Sequence, residues 1–251
     1  MSETRYGALK GKASDRVPEI LAVGGARVST LYLSLSERHP EGQDAAYLRW
    51  HTLDHRPEQF RIAGLQAALR VVSTPECRAA RAAEEAPFAA ADHAMAYFFS
   101  DPADLEPFGR LATALRDAGR IPYLLKPASR GAFRIDYAHA APRIKVGRDV
   151  LPWWPVVGAY LLLERGEGPV AELVDRPGVG GLYAATAFAH ETADTPPGTR
   201  LYFLFLDEDP VEVAQALKPV LEARWLREGI RPLLAAPFYA VIPYQWDRYL
   251  P

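Results

Sequence analysis

Residues Tyr47–Gly64, YLRWHTLDHRPEQFRIAG, carry two of the six histidines one helical turn apart and place an Arg-Pro-Glu turn before the closing glycine. Read at helical spacing, Tyr47, His51, Asp54 and His55 form one stripe, and Ala46, Trp50, Leu53 and Pro57 the adjacent one. Asp44 is expected to cap this helix, because its carboxylate can accept the first free backbone N–H groups. Pro57 is expected to end regular hydrogen bonding near His55. No other segment interleaves aromatic and titratable side chains in this way.

Upstream, Ala26–Ser36 alternates Val28, Thr30, Tyr32 and Ser34 with Leu31, Leu33 and Leu35, the two-residue period of a strand packed on one face. Downstream, Gly64–Ser73 reads as a second strand, then comes an Ala- and Glu-rich insertion around Cys77–Ala86, and Ala91–Ser100 reads as a third. Ala103–Gly119 brings Leu105, Phe108, Leu111 and Leu115 to one helical face. Either Ile121–Leu125 or Ala132–His139 can supply the fourth strand. The order strand, helix, strand, strand, helix, strand predicts a ferredoxin-like α+β unit, an antiparallel sheet with both helices on one face.

The pattern then restarts. Val156–Glu164, Gly181–Phe188, Thr199–Leu206 and Leu233–Ile242 read as strands, Val170–Asp175 as a stub of a helix and Pro210–Trp225 as a full one. Two pairs of segments carry the repetition at residue level. AYFFSDPADLEPFGRLATAL from Ala96 resembles LYFLFLDEDPVEVAQALKPVL from Leu201, and LDHRPEQFRIAGL from Leu53 resembles LVDRPGVGGL from Leu173, with Asp175 standing where His55 stands. The division expected is an N-terminal arm (1–24), a first half (25–140), a proline-rich linker (141–155) and a degenerate second half (156–251). Two such halves predict a pseudo-dimeric α+β barrel, formed as each sheet buries the face its helices leave open.

With 251 residues, 49% of them hydrophobic, the chain can bury a substantial core. A formal charge of -2 gives no basic field for a phosphate backbone, so nucleic acid is not expected as a partner. The single cysteine, Cys77, rules out an intrachain disulfide and a multi-cysteine metal site. The polar first residues lack the apolar core of a signal peptide, and no run approaches the roughly 20 apolar residues of a membrane span. A cytoplasmic protein is expected. An internal pseudo-dimer can suffice alone or pair again through exposed edges as a homodimer. The glycines at Gly178–Gly181 precede a strand instead of leading from one into a helix, so they fail as a dinucleotide fingerprint.

YLRWHTLDHRPEQFRIAGLQAALRVVS resembles the first helix and second strand of the EthD-like members of the dimeric α+β barrel superfamily. There an aromatic-bearing helix ends in a histidine, a proline turn follows, and a glycine opens the next strand. His55, Pro57 and Gly64 match that pattern, and Trp50 or His51 the positions before it. The resemblance implies small-molecule chemistry without an organic cofactor. The superfamily also holds monooxygenases, isomerases and haem enzymes, so kinship of fold does not select the reaction.

His55 is the first catalytic candidate, because imidazole accepts and returns protons near neutral pH. The plain alternative is a histidine that caps the end of its helix. His51 lies four residues earlier, the spacing of paired metal ligands on a helix, yet no third ligand is evident and no metal is expected. Tyr47 and Trp50 are candidates to frame an aromatic substrate. Tyr32, Arg70 and Tyr97 are candidate inward-facing strand residues, and Arg70 could hold an anionic group. His93 and His139 sit in strands whose alternation could also aim them into the barrel. Trp153-Trp154 reads as a packed linker or a lid. The leading expectation is acid/base or oxygenation chemistry on an aromatic or polyketide-like compound. The alternatives are a non-catalytic ligand-binding or stress-response barrel, and a haem protein with an axial histidine.

Overall fold

The computed structural model describes residues 9–251. The expected N-terminal arm (1–24) falls partly outside that range. Within it, Ser14 donates both its backbone N–H and its hydroxyl to the Lys145 carbonyl, and Pro18–Val23 forms a short helix, α1.

The first unit comprises β1 (Thr30–Ser36), α2 (Asp44–Trp50), a π-helical turn (His51–His55), α3 (Arg56–Gln59) and β2 (Leu65–Val72). An insertion holds α4 (Pro75–Ala79) and the two-residue β3 (Ala83–Glu84). β4 (His93–Phe99), α5 (Leu105–Asp117) and β5 (Pro127–Ala140) complete the unit. The second unit has β6 (Gly158–Arg165), β7 (Val179–Ala187), β8 (Arg200–Leu206), α6 (Pro210–Glu228) and β9 (Arg231–Ala240).

Strand order runs β2-β4-β1-β5-β7-β8-β6-β9, every pair antiparallel, and Val71 opposite Ala240 with Val72 opposite Tyr239 returns β9 to β2. Each unit therefore has ferredoxin-like strand order, and the two close one eight-stranded barrel. The period-two pattern of β1 decides what fills it. Leu31, Leu33 and Leu35 point inward to meet Phe98, Phe133, Phe203 and Phe205, all buried. The interior is a packed aromatic and aliphatic core, as small barrels require.

The opposite face of the first sheet lies under the helices, where Tyr32, Met95, Tyr97 and Phe99 meet Leu105 and Phe108 of α5. Gly64 opens β2 because the Asp104 carboxyl occupies the space a Cβ would need. In the second unit Val213, Leu217, Leu221 and Trp225 of α6 pack on Tyr160, Leu162, Leu182 and Leu204.

Several expectations are corrected. Val170–Asp175 forms turns and no helix, since Gly166, Gly168, Pro169 and Pro177 crowd a segment too short to nucleate one. Asp44 does not cap α2. It is the first helical residue, and its carboxylate accepts from the His39 backbone N–H and from His93, each at 2.8 Å. Pro57 does not stop the helix, which resumes as α3. Proline has no N–H for the carbonyl four residues back and pushes it away, so the strain is absorbed upstream as the wide turn at His51–His55. Trp153 is 44% exposed with its indole N–H bonded to the Gln66 carbonyl, and the ring of Trp154 covers Gly180, so the pair staples the connection and lids nothing.

Candidate functional site

A cavity of about 310 Å³ lies between the helix-facing side of the first sheet and the helices above it. Its size falls in the range of small-molecule sites. Tyr47, Trp50, His51 and His55 enter it from the helix, and Tyr32, Arg70 and Tyr97 from β1, β2 and β4. All seven site residues singled out in the sequence thus line one cavity. The strand residues do so by facing away from the barrel axis, which corrects the inward orientation expected of them. Alternation fixes that two neighbours face opposite ways; which face is the barrel interior depends on closure with the second unit.

His93 also points into the helix layer. It is fully buried beneath the Tyr47 ring, with centroids 5.3 Å apart, and its Nε2–H donates to Asp44. His139 lies outside the barrel and pairs with Asp175 at 3.0 Å. Asp175, the counterpart of His55 in the repeat, therefore belongs to a different constellation.

The helical turn stacks the site's rings. Trp50 lies against His55 with centroids 5.0 Å apart and planes 29° from parallel, and the His51 and His55 rings are 5.3 Å apart. The Gln59 amide nitrogen lies 2.9 Å from His55 Nε2, and the Tyr97 hydroxyl 3.3 Å from His51 Nε2. An amide N–H on Nε2 makes that nitrogen the lone-pair site of His55. Proton transfer to it requires the buried Gln59 amide to turn aside.

Burial and charge set the protonation states. Burial, reinforced by the Arg70 cation, pushes His55 down to about 4 and His51 well below its ordinary value. For His55 the Asp54 carboxylate opposes this shift. Burial raises the Tyr97 and Tyr32 phenols, which stay protonated donors. His93 is lowered by burial against the pull of Asp44, while Asp44 is lowered because the His93 and His39 bonds outweigh its own burial. That pair is a carboxylate holding a neutral imidazole. The cavity therefore presents neutral bases, neutral acids and one deeply buried cation.

Sequence reading missed Arg116 of α5, Arg130 of β5 and the Tyr123-Leu124 segment, all in the lining. Phe108, Ala112 and Arg116 recur every four residues, which could have marked the α5 face. Nothing in the local pattern ties that face to Tyr47 some sixty residues earlier.

No family model matches the chain, and no curated protein matches its sequence. Among solved structures, a candidate chlorite dismutase superposes with a TM-score of 0.51 at 11% identity, covering 86% of this chain and 96% of that one. The fold is a dimeric α+β barrel. Two further structures are similar: a dye-decolorizing protein from V. cholerae (TM-score 0.49, 11% identity, 88% and 95% covered) and a candidate monooxygenase from Fusobacterium nucleatum (0.48, 9%, 86% and 94%). At these identities the likeness concerns fold alone. Axial ligation of a haem in this α+β barrel would require Tyr97 or Gln59 to release the Nε2 atom of His51 or His55, and Trp50 covers one face of His55. Among the described residues no helix is long and apolar enough to cross a membrane, and no cluster of three metal-ligating side chains occurs.

Proposed function

We propose that this α+β barrel is a small-molecule enzyme of the EthD-like type, performing proton-transfer or oxygenation chemistry on an aromatic or polyketide-like compound. The observation that carries the reading is the pair of uncharged imidazoles, His51 and His55, set in one aromatic-walled cavity with a buried guanidinium. A base must be deprotonated before substrate arrives, and burial keeps both rings so at neutral pH. His55 takes the substrate proton, the Tyr97 phenol, in contact with His51, lies on the sheet side, and Tyr47 and Trp50 frame the ring system. The anion formed is stabilised by Arg70, since an oriented cation in a dry site acts where charge develops. Residues 25–140 carry most of this site, Thr192 of the second unit adds to its lining by accepting from the Tyr32 hydroxyl at 3.0 Å, and residues 156–251 supply the second wall of the barrel, with α6 packed directly on the sheet. The test is turnover of enolisable or phenolic aromatic compounds by His55→Ala. Loss of turnover with an unchanged circular dichroism spectrum supports the reading. Turnover retained in the variant, or ligand binding without turnover in the native protein, contradicts it and favours a ligand-binding barrel.

A further inference from the structure

We propose that the first-unit cavity takes its ligand as a planar conjugated carboxylate, whose negative group sits on the Arg70 guanidinium. This deepens the reading of the cavity as a small-molecule site and rests on it. Arg70 is 4% exposed, and among the described residues it has no carboxylate partner and its Nε has no hydrogen-bond acceptor. Its guanidinium lies over the Tyr47 ring, 5.0 Å from the centroid. The other buried arginines set the standard for this protein. Arg224 holds Glu164 at 2.6 and 2.7 Å, and Arg81 holds Glu84 at 2.8 Å together with the Ala89 carbonyl at 2.7 Å. Where this chain buries a guanidinium to hold its fold, it pairs the charge; at Arg70 it leaves the charge facing a cavity.

The surroundings supply no substitute. The lining contains Arg70, Arg116 and Arg130 and not one aspartate or glutamate, in a chain whose acidic residues outnumber its lysines and arginines, 31 to 29. His51 and His55 are neutral, so they offer no negative charge. Asp44, on the same helix, is committed to His93 and to the His39 backbone. The missing counter-charge must come from the ligand, because a buried charge is tolerated only when paired. A guanidinium presents a planar fork that matches the two oxygens of a carboxylate. The flanking rings of Tyr47, Trp50 and Tyr97 accept a flat conjugated body. Arg116 and Arg130 extend the positive potential around the cavity, which favours entry of an anion.

The experiment compares 2-naphthoate with its neutral isostere 2-naphthamide by calorimetric titration of the full chain. The native protein is expected to bind the carboxylate at least about tenfold more tightly than the amide. In Arg70→Met the preference is expected to vanish, and in Arg70→Lys to survive in part, with circular dichroism spectra like that of the native protein. Equal affinity for the two probes, no binding of either, or a preference that persists in Arg70→Met would overturn the proposal. The readout is equilibrium binding, so its failure is distinguishable from retained turnover in His55→Ala, which bears on the catalytic reading alone.

Discussion

The guanidinium of Arg70 rests 5.0 Å from the centre of the Tyr47 ring, and that ring is its sole charge-compensating contact among the described residues. A cation over a desolvated aromatic face gains about 0.5–2 kcal/mol, less than the several kcal/mol that burying an unpaired charge costs. Arg70 is thus a burden on the empty fold. Arg70→Met should raise the free energy of unfolding by about 1–3 kcal/mol while weakening anion binding. Urea denaturation measures the first quantity. A variant less stable than the native protein would show that Arg70 holds the fold together through a contact the cavity hides.

The neutral histidines make stability depend on pH with a definite sign. His55 takes up its proton near 4 in the folded protein, against 6.5 as a free side chain. Between those values the unfolded chain binds more protons, so stability rises with pH across that window and is complete above it. It is lost as pH falls from the unfolded value towards the folded one. His51, lowered for the same first cause, burial, adds in the same direction. Each group contributes a slope of at most about 1.4 kcal/mol per pH unit. Denaturation at about pH 5 and about pH 7.5 should give a smaller difference for His55→Gln than for the native protein. An unchanged difference would mean that His55 is charged in the fold.

Arg224 and Glu164 are fully buried between α6 and β6, and the Trp225 indole N–H also donates to Glu164. Glu164→Ala would strand the guanidinium and leave the indole without its acceptor, at a cost of about 3–5 kcal/mol. The double variant Glu164→Leu/Arg224→Met should recover most of that loss, because it removes both charges together. The 2-naphthoate affinity of the native protein should carry over to the double variant, since the ion pair lies in the other unit. A double variant as unstable as the single one would show that the cost comes from packing and not from charge.

Much of this protein is legible in its sequence, and what is not has a physical reason. The alternation of Leu31, Leu33 and Leu35 and the amphipathic face of Leu105, Phe108 and Leu115 yield the strands and the helix of the first unit, because both are local periodicities. Order then yields the ferredoxin-like arrangement. Orientation is not local. The surface on which Tyr32, Arg70 and Tyr97 lie depends on barrel closure, which makes the leucine face the interior. Asp44 looks like a cap in isolation and serves instead as the acceptor for a histidine forty-nine positions away. His51 and His55 were visible because their spacing is local. Arg116 and Arg130 were not, because their place in the cavity depends on how α5 and β5 fold back over β1.

The central claim is that neutral His55 abstracts a proton in the first-unit cavity, and deuterium incorporation at the acidic ring-adjacent carbon of 2-tetralone in D2O tests it most directly. NMR follows the loss of the C–H signal without any need to know the full reaction. The native protein should accelerate exchange above buffer, and His55→Ala should fall at least about 10²-fold, the usual worth of a positioned base. Exchange no faster than buffer with the native protein, or equal rates for native and His55→Ala proteins, would contradict the account.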